Sequence, residues 1–182
     1  MPESRNDYGP VNRLEAETFG EPGQRTFRIF TANEIEAASL WLEKQQLAAL
    51  GRAVEEQISR LRALRVTKTA TTPDAALAYQ GKAALDFRIG QMALGFDERA
   101  GLFLLLVYAV DDQDEDRPTF SCQATPDQLR ALAEQIETVV VSGRPLCPLC
   151  GIPMDASGHA CIRTNGHSKD PIPPVETDDE SV

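Results

Sequence analysis

Three of the chain's four cysteines fall close together near its C-terminal end. Cys147-Pro148-Leu149-Cys150-Gly151 holds two thiols separated by two residues, Gly158-His159-Ala160-Cys161 follows, and Asn165-Gly166-His167 comes after that. Two cysteines at this spacing can present both thiolates to one ion, and the glycine behind them permits a tight backbone. A closed zinc site takes four nitrogen or sulfur ligands. Cys147, Cys150 and Cys161 supply three, and His159 or His167 supplies the fourth. His159 is favoured, because residues two apart in an extended segment project to one side and would let His159 and Cys161 converge. His167 is the alternative. The expected ion is a structural Zn2+. The ligands fill the position a catalytic water would need, soft thiolates weaken the ion as a Lewis acid, and the only nearby carboxylate is Asp155. So short a segment would depend on the metal for its fold.

Other chemistry is sparse. Both histidines of the chain lie in the cysteine segment, which makes a Ser-His or Cys-His catalytic pair hard to build, and no Gly-x-Ser-x-Gly occurs. Gly90 and Gly95 are spaced as in a phosphate loop, but Phe96-Asp97 stands where Lys and Ser/Thr are required, so the stretch reads as a strand with glycine-marked bulges. Asp112, Asp114 and Asp116 begin like a calcium loop, yet Arg117 replaces the glycine and Gln123 the closing glutamate, leaving a solvated acidic turn. Cys122 reads as a small buried strand residue and Trp41 as a core or strand-face aromatic. Arg28 and Arg88 follow Phe27 and Phe87 at comparable places in two halves of the chain. They are candidates for a paired anion site, set against the plainer reading of two exposed arginines.

The chain has 182 residues, 42% of them hydrophobic, which is enough for a core and excludes a wholly disordered polymer. Its 28 acidic against 18 basic residues argue against a broad footprint for nucleic acid or anionic lipid. The longest apolar run, Leu102 to Val110, is far short of the roughly 20 residues of a spanning helix. Met1 to Asp7 does not read as a secretory leader. With clustered cysteines, this suggests a reducing cytoplasm.

These residues must be positioned by strands and two helices. The strand-like stretches are 13–19, 25–31 and 36–43, then 87–96, 102–110 and 119–124. The stretch 102–110 is apolar on both faces and is expected to be central and covered on both sides. Leu47, Leu50, Val54, Ile58 and Leu61 line one face of a helix that ends near Arg65. Thr72-Pro73-Asp74 reads as the start of a short helical turn. A second helix starts at Thr125-Pro126-Asp127-Gln128, where the threonine accepts from a helical amide, the proline needs no donor and Gln128 reaches back. Its buried face is Leu129, Leu132, Ile136, Val139 and Val140, and Gly143 stops it. Gln46 to Leu50 and Gln128 to Leu132 match at all but one position. Together these features predict an α+β fold of antiparallel sheet or sheets covered by two helices, built as an internally duplicated β-rich unit ending in a helix. The expected organisation is a flexible N-terminus at 1–10 and an α+β domain at 11–143 with halves 11–65 and 85–143. A zinc-ribbon-like segment at 144–169 and a disordered acidic tail at 170–182 follow.

The cysteine segment, with Arg163-Thr164-Asn165-Gly166 behind it, resembles the C-terminus of the DUF3090 family, found mainly in Actinobacteria and some Chloroflexi. Gly20 to Phe27, Leu42 to Gln46, and Phe87-Arg88-Ile89-Gly90 through Gly95-Phe96-Asp97 are similar to it as well, over about residues 12 to 167. Members often carry tyrosine where this chain has His167, which again favours His159. The family has no assigned activity. The resemblance implies neighbours of two kinds, a histidine-phosphatase-like protein and a kinase related to phosphatidylinositol kinases. The expected function is therefore that of a cytoplasmic, non-catalytic zinc protein that binds such a partner. The alternative is an enzyme or small-molecule binder acting on a phosphorylated metabolite, with Arg28 and Arg88 as anion contacts.

Overall fold

The computed structural model describes residues 4–21, 24–63, 70–112, 114, 116–141, 147, 149, 150, 161 and 163. The chain divides into two units, Met1–Gly143 and Arg144–Val182. The predicted tail at 170–182 lies outside the described residues. The first unit runs β1 (Asn6–Pro10), β2 (Arg13–Phe19), β3 (Thr26–Ala32), β4 (Ala37–Leu42), α1 (Lys44–Ala63), β5 (Leu85–Asp97), β6 (Leu102–Ala109), β7 (Phe120–Ala124) and α2 (Pro126–Val141). A short 3-10 turn, Ala75–Leu77, lies between α1 and β5, and the Asp74 side chain caps it by accepting from the Ala76 amide.

The class is α+β, but the sheet is mixed rather than antiparallel. Its order is β1-β7-β6-β5-β4-β3-β2. The pairs β4/β5 and β1/β7 are parallel, and the other four are antiparallel. Parallel neighbours need a long crossover, and α1 supplies one by returning the chain from the end of β4 to the start of β5. The pairing of β1 with β7 joins the two ends of the unit, which no local pattern encodes.

Two stretches of chain change partner in mid-course. In β5, residues 85–88 pair with β4 while residues 89–97 pair with β6, and the register shifts between Ile89 and Gln91. At the other end of the order, β1 pairs with β7 and β2 with β3, with only Val11 and Asn12 between them. The Val11 amide donates to Gln123 O and the Asn12 amide to Ala32 O, so both ladders run up to the change. The sheet therefore turns back on itself, with its two bends at Val11–Asn12 and at Ile89–Gly90.

Each bend is held by a glutamine from the first turn of a helix. Gln128 Oε1 accepts from the Thr125 amide at 2.9 Å, the Gln128 amide donates to Thr125 Oγ1 at 3.2 Å, and Gln128 Nε2 donates to Val11 O at 2.7 Å. Gln46 Oε1 accepts from the Glu43 amide at 2.9 Å, and its Nε2 donates to the carbonyls of Ile89 and Gly90, each at 3.2 Å. Each side chain closes a capping interaction with its oxygen and ties its helix to a sheet bend with its nitrogen.

One face of the sheet carries the core. Ile29, Leu40, Phe103, Leu105 and Phe120 are fully buried there with Leu47, Val54, Leu129 and Leu132 from the helices. Leu61, Val139 and Val140, expected on the buried helix faces, are partly buried at its margin. Gly51 brings the helices together, since a Cβ at that position would lie 3.0 Å from Ile136 Cγ2.

Two further expectations are corrected. Within the stretch expected to be loose, Asn6–Pro10 forms β1, whose Tyr8 is buried against Phe120 and donates its hydroxyl to Ala37 O at 3.1 Å. Strand β6 is central but covered on one face only, with Leu104, Leu106 and Tyr108 half-exposed on the other. The strand buried on both faces is β4, where Ala78 from the connection before β5 packs with Ala32 and Ala37.

Replacing Gln128 by alanine removes a cap and leaves the buried Val11 carbonyl without that donor. Gln128→Ala is expected to cost about 1–3 kcal/mol in urea unfolding, whereas Glu137→Ala at an exposed position of the same helix stays within about 0.5 kcal/mol. Equal midpoints for the two variants would remove the tie from the account of the fold.

Candidate functional site

Three of the expected ligands converge in the second unit. Leu149 and Cys150 lie in a turn, which brings the Cys150 thiol back toward Cys147. The sulfurs of Cys147, Cys150 and Cys161 all lie within 4.8 Å of one another, with Cys147 and Cys161 buried and Cys150 half-buried. The Cys147 and Cys161 Sγ atoms are 3.8 Å apart. That is far beyond a disulfide bond of about 2.05 Å, and none of the four cysteines is in a disulfide. It also matches the edge of a tetrahedral thiolate site, where two sulfurs about 2.3 Å from one ion stand about 3.8 Å apart. These three cysteines can hold a metal ion. His159 and His167 lie outside the described residues.

Cys122 belongs to different chemistry. It sits in β7 with no exposed surface, and burial pushes its thiol up to about 12. A thiol so held stays protonated at neutral pH and is a structural residue of the core. The glycine-marked stretch in β5 is a strand, as the sequence suggested, with a register shift at Gly90, but Gly95 marks no bulge and pairs in regular register with Leu104. The acidic turn is knit to its surroundings. Thr119 Oγ1 donates to Asp112 Oδ2 at 2.8 Å and Arg5 Nη2 stands 2.8 Å from Asp112 Oδ1. The Thr119 hydroxyl and the Asp114 amide, with Arg5 behind them, hold the Asp112 carboxyl below its ordinary range.

Arg28 and Arg88 share one row on the outer face of the sheet. In register, Glu17 lies opposite Arg28, Arg28 opposite Trp41, and Trp41 opposite Arg88. One strand thus separates the two arginines, and each meets a carboxylate. Arg28 Nε donates to Glu17 Oε2 at 2.7 Å and Nη2 contacts the same oxygen, while Arg88 Nη2 donates to Glu43 Oε1 at 2.9 Å. The Arg28 guanidinium also lies 4.8 Å from the ring centre of Phe19, 5.3 Å from Phe30 and 5.4 Å from Trp41. The Trp41 indole donates to Asp86 Oδ1 at 2.8 Å. Beside this row, a groove of about 370 Å3 is lined by Trp41, Glu43, Gln46, Arg88, Gly90 and Val110 among others. Sequence reasoning found the arginines and Trp41 but missed Glu17 and Phe19. Their alternation along β2 becomes informative only once the β2/β3 register is known.

The family model described as "Protein of unknown function (DUF3090)" matches residues 6–161. No curated protein and no solved structure matches the chain.

Elemental analysis of the full chain, prepared without chelator, is expected to find one thiophilic metal ion per chain. Cys161→Ser should lose it and Cys122→Ser should keep it. The same metal content in both variants would dissociate the cysteine cluster from metal binding.

Proposed function

The chain belongs to the DUF3090 family, and from that premise we propose that it is a cytoplasmic zinc protein that binds a protein partner and catalyses no reaction itself. The observation that carries the reading is the close approach of three sulfurs in the second unit. Zinc is the ion that suits such a set, with Cys147, Cys150 and Cys161 as ligands and His159, or alternatively His167, as the fourth. A site so filled acts by fixing the backbone around it, and the fold of residues 144–169 as a zinc ribbon would follow from the metal. Among the described residues, no helix is long and apolar enough to cross a membrane.

The partner class is a phosphate-handling protein, kinase-like or histidine-phosphatase-like. The α+β unit is read as two copies of one strand-rich, helix-ending element. In support, Gln46 and Gln128 make the same pair of interactions, each capping its own helix and catching a bend in the other half.

A second reading is favoured by the shared row of Arg28, Trp41 and Arg88 beside the groove. It is that of a binder of, or enzyme on, a phosphorylated small molecule. Arg88 is the more available contact because its pair with Glu43 is solvent-exposed.

Two experiments separate these readings. Affinity capture of the tagged full chain should retain the kinase-like or phosphatase-like neighbour, and chelation should release it. Absence of either neighbour with the metal in place would sink the adaptor reading. A panel of phosphorylated sugars and nucleotides should leave the melting temperature unmoved. A rise of several degrees that disappears in Arg88→Ala would establish the second reading instead.

A further inference from the structure

We propose that residues 91–97, along the open edge of β5, pair antiparallel with the same stretch of a second copy of this chain, making a two-fold dimer through a continuous sheet. Strand β4 stops pairing with β5 at Arg88, and residues 89–97 pair with β6 alone. Along 91–96 the backbone groups that point away from β6 meet no partner among the described residues. Such a row of amides and carbonyls is a template for another strand.

The corresponding edge in the first half of the unit is treated differently. Helix α2 runs beside β2, and the Ala16 amide donates to Gln135 Oε1 at 3.0 Å. Among the described residues, no helix lies along 91–96 in this way. The core-facing side chains differ in step. Leu14 and Ala16 on β2 are buried, while Met92, Leu94 and Phe96 on β5 are only partly buried, so the open edge also leaves apolar surface in reach of solvent.

The outward positions on the two strands point the same way. Strand β2 shows Arg13, Glu15 and Glu17, charges of the kind that discourage edge pairing. Strand β5 shows Gln91, Ala93 and Gly95, all exposed and uncharged, and its run from Ile89 to Phe96 holds neither charge nor proline. The covered edge carries the deterrents and the open edge lacks them.

The occupant follows from self-complementarity. Antiparallel pairing centred on Leu94 sets Ala93 opposite the partner's Gly95, Gln91 opposite the partner's Asp97 and Met92 opposite the partner's Phe96. No like charges face each other across the seam. Small residues lie on the outer face of the seam and apolar ones on the core side. A two-fold axis through the centre makes the interface isologous and closed, so it stops at two copies.

Sedimentation and light scattering of the full chain across a concentration series test the pairing. The wild type should reach a mass near twice 19.9 kDa. The double variant Ala93→Glu with Gly95→Glu sets acids opposite acids across the seam and should be a monomer. Ala93→Lys with Gly95→Glu sets lysine opposite glutamate and should restore the dimer. Both sites are exposed, and a Cβ at Gly95 meets nothing within 4 Å, so the variants should keep the wild-type circular dichroism. A wild type that stays monomeric, a doubly acidic variant that dimerises like the wild type, or a charge-paired variant that stays monomeric would each overturn the proposal.

Discussion

A strand that changes partners in mid-course leaves backbone groups at the change without a ladder, and a buried carbonyl left so costs about 1–3 kcal/mol. The first unit has two such places, and two glutamines answer them. Gln128 reaches Val11 O, and Gln46 reaches the carbonyls of Ile89 and Gly90. Because each glutamine also caps its helix, the start of α1 and the start of α2 are fixed relative to the bends. The buried faces of the helices are then aimed at the core from their first turns. Leu47 and Leu129, one residue beyond the glutamines, are both fully buried. The rest of the packing, down to the close approach at Gly51, follows from where those first turns are anchored.

The second unit depends on a different constraint. Three thiols drawn within 4.8 Å would repel one another once ionised, and a cation held among them would offset that repulsion. Cys122 provides the contrast within the same chain. It lies outside that group of thiols, and its burial in β7 favours the neutral form. The two kinds of cysteine therefore differ by environment and not by residue type.

Local features were legible in the sequence. The α2 start is an instance: Thr125, Pro126 and Gln128 each do there what their types at those positions suggest. The buried positions of α1 at Leu47, Leu50, Val54 and Ile58 follow from their spacing. The cysteine cluster was legible because metal ligands must be particular residue types. What could not be read was non-local. Strand β1, Asn-Asp-Tyr-Gly-Pro, has almost no strand-forming residues and buries Tyr8 alone, so its state is decided by β7 more than a hundred residues away. The parallel pair β4/β5 likewise depends on where α1 returns the chain. The apolar outer face of β6 misled because leucines at 104 and 106 are tolerated half-exposed.

Non-local register also decides what the outer-face arginines can do. A phosphate approaching Arg28 would compete with a carboxylate already on the fork of the guanidinium and with three aromatic rings around it. That competitor is tethered to the next strand, so it is present at high local concentration whatever the solution holds. Arg88 is different. Its partner Glu43 is as exposed as it is, and exposed pairs of this kind contribute only about 0–1 kcal/mol. Any anion recognised on this face would therefore be held at Arg88, with Trp41 and the groove beside it, while Arg28 stays paired with Glu17 among the aromatic rings. The two arginines looked equivalent as text after Phe27 and Phe87. The strands beside them make one a structural cation and leave the other available.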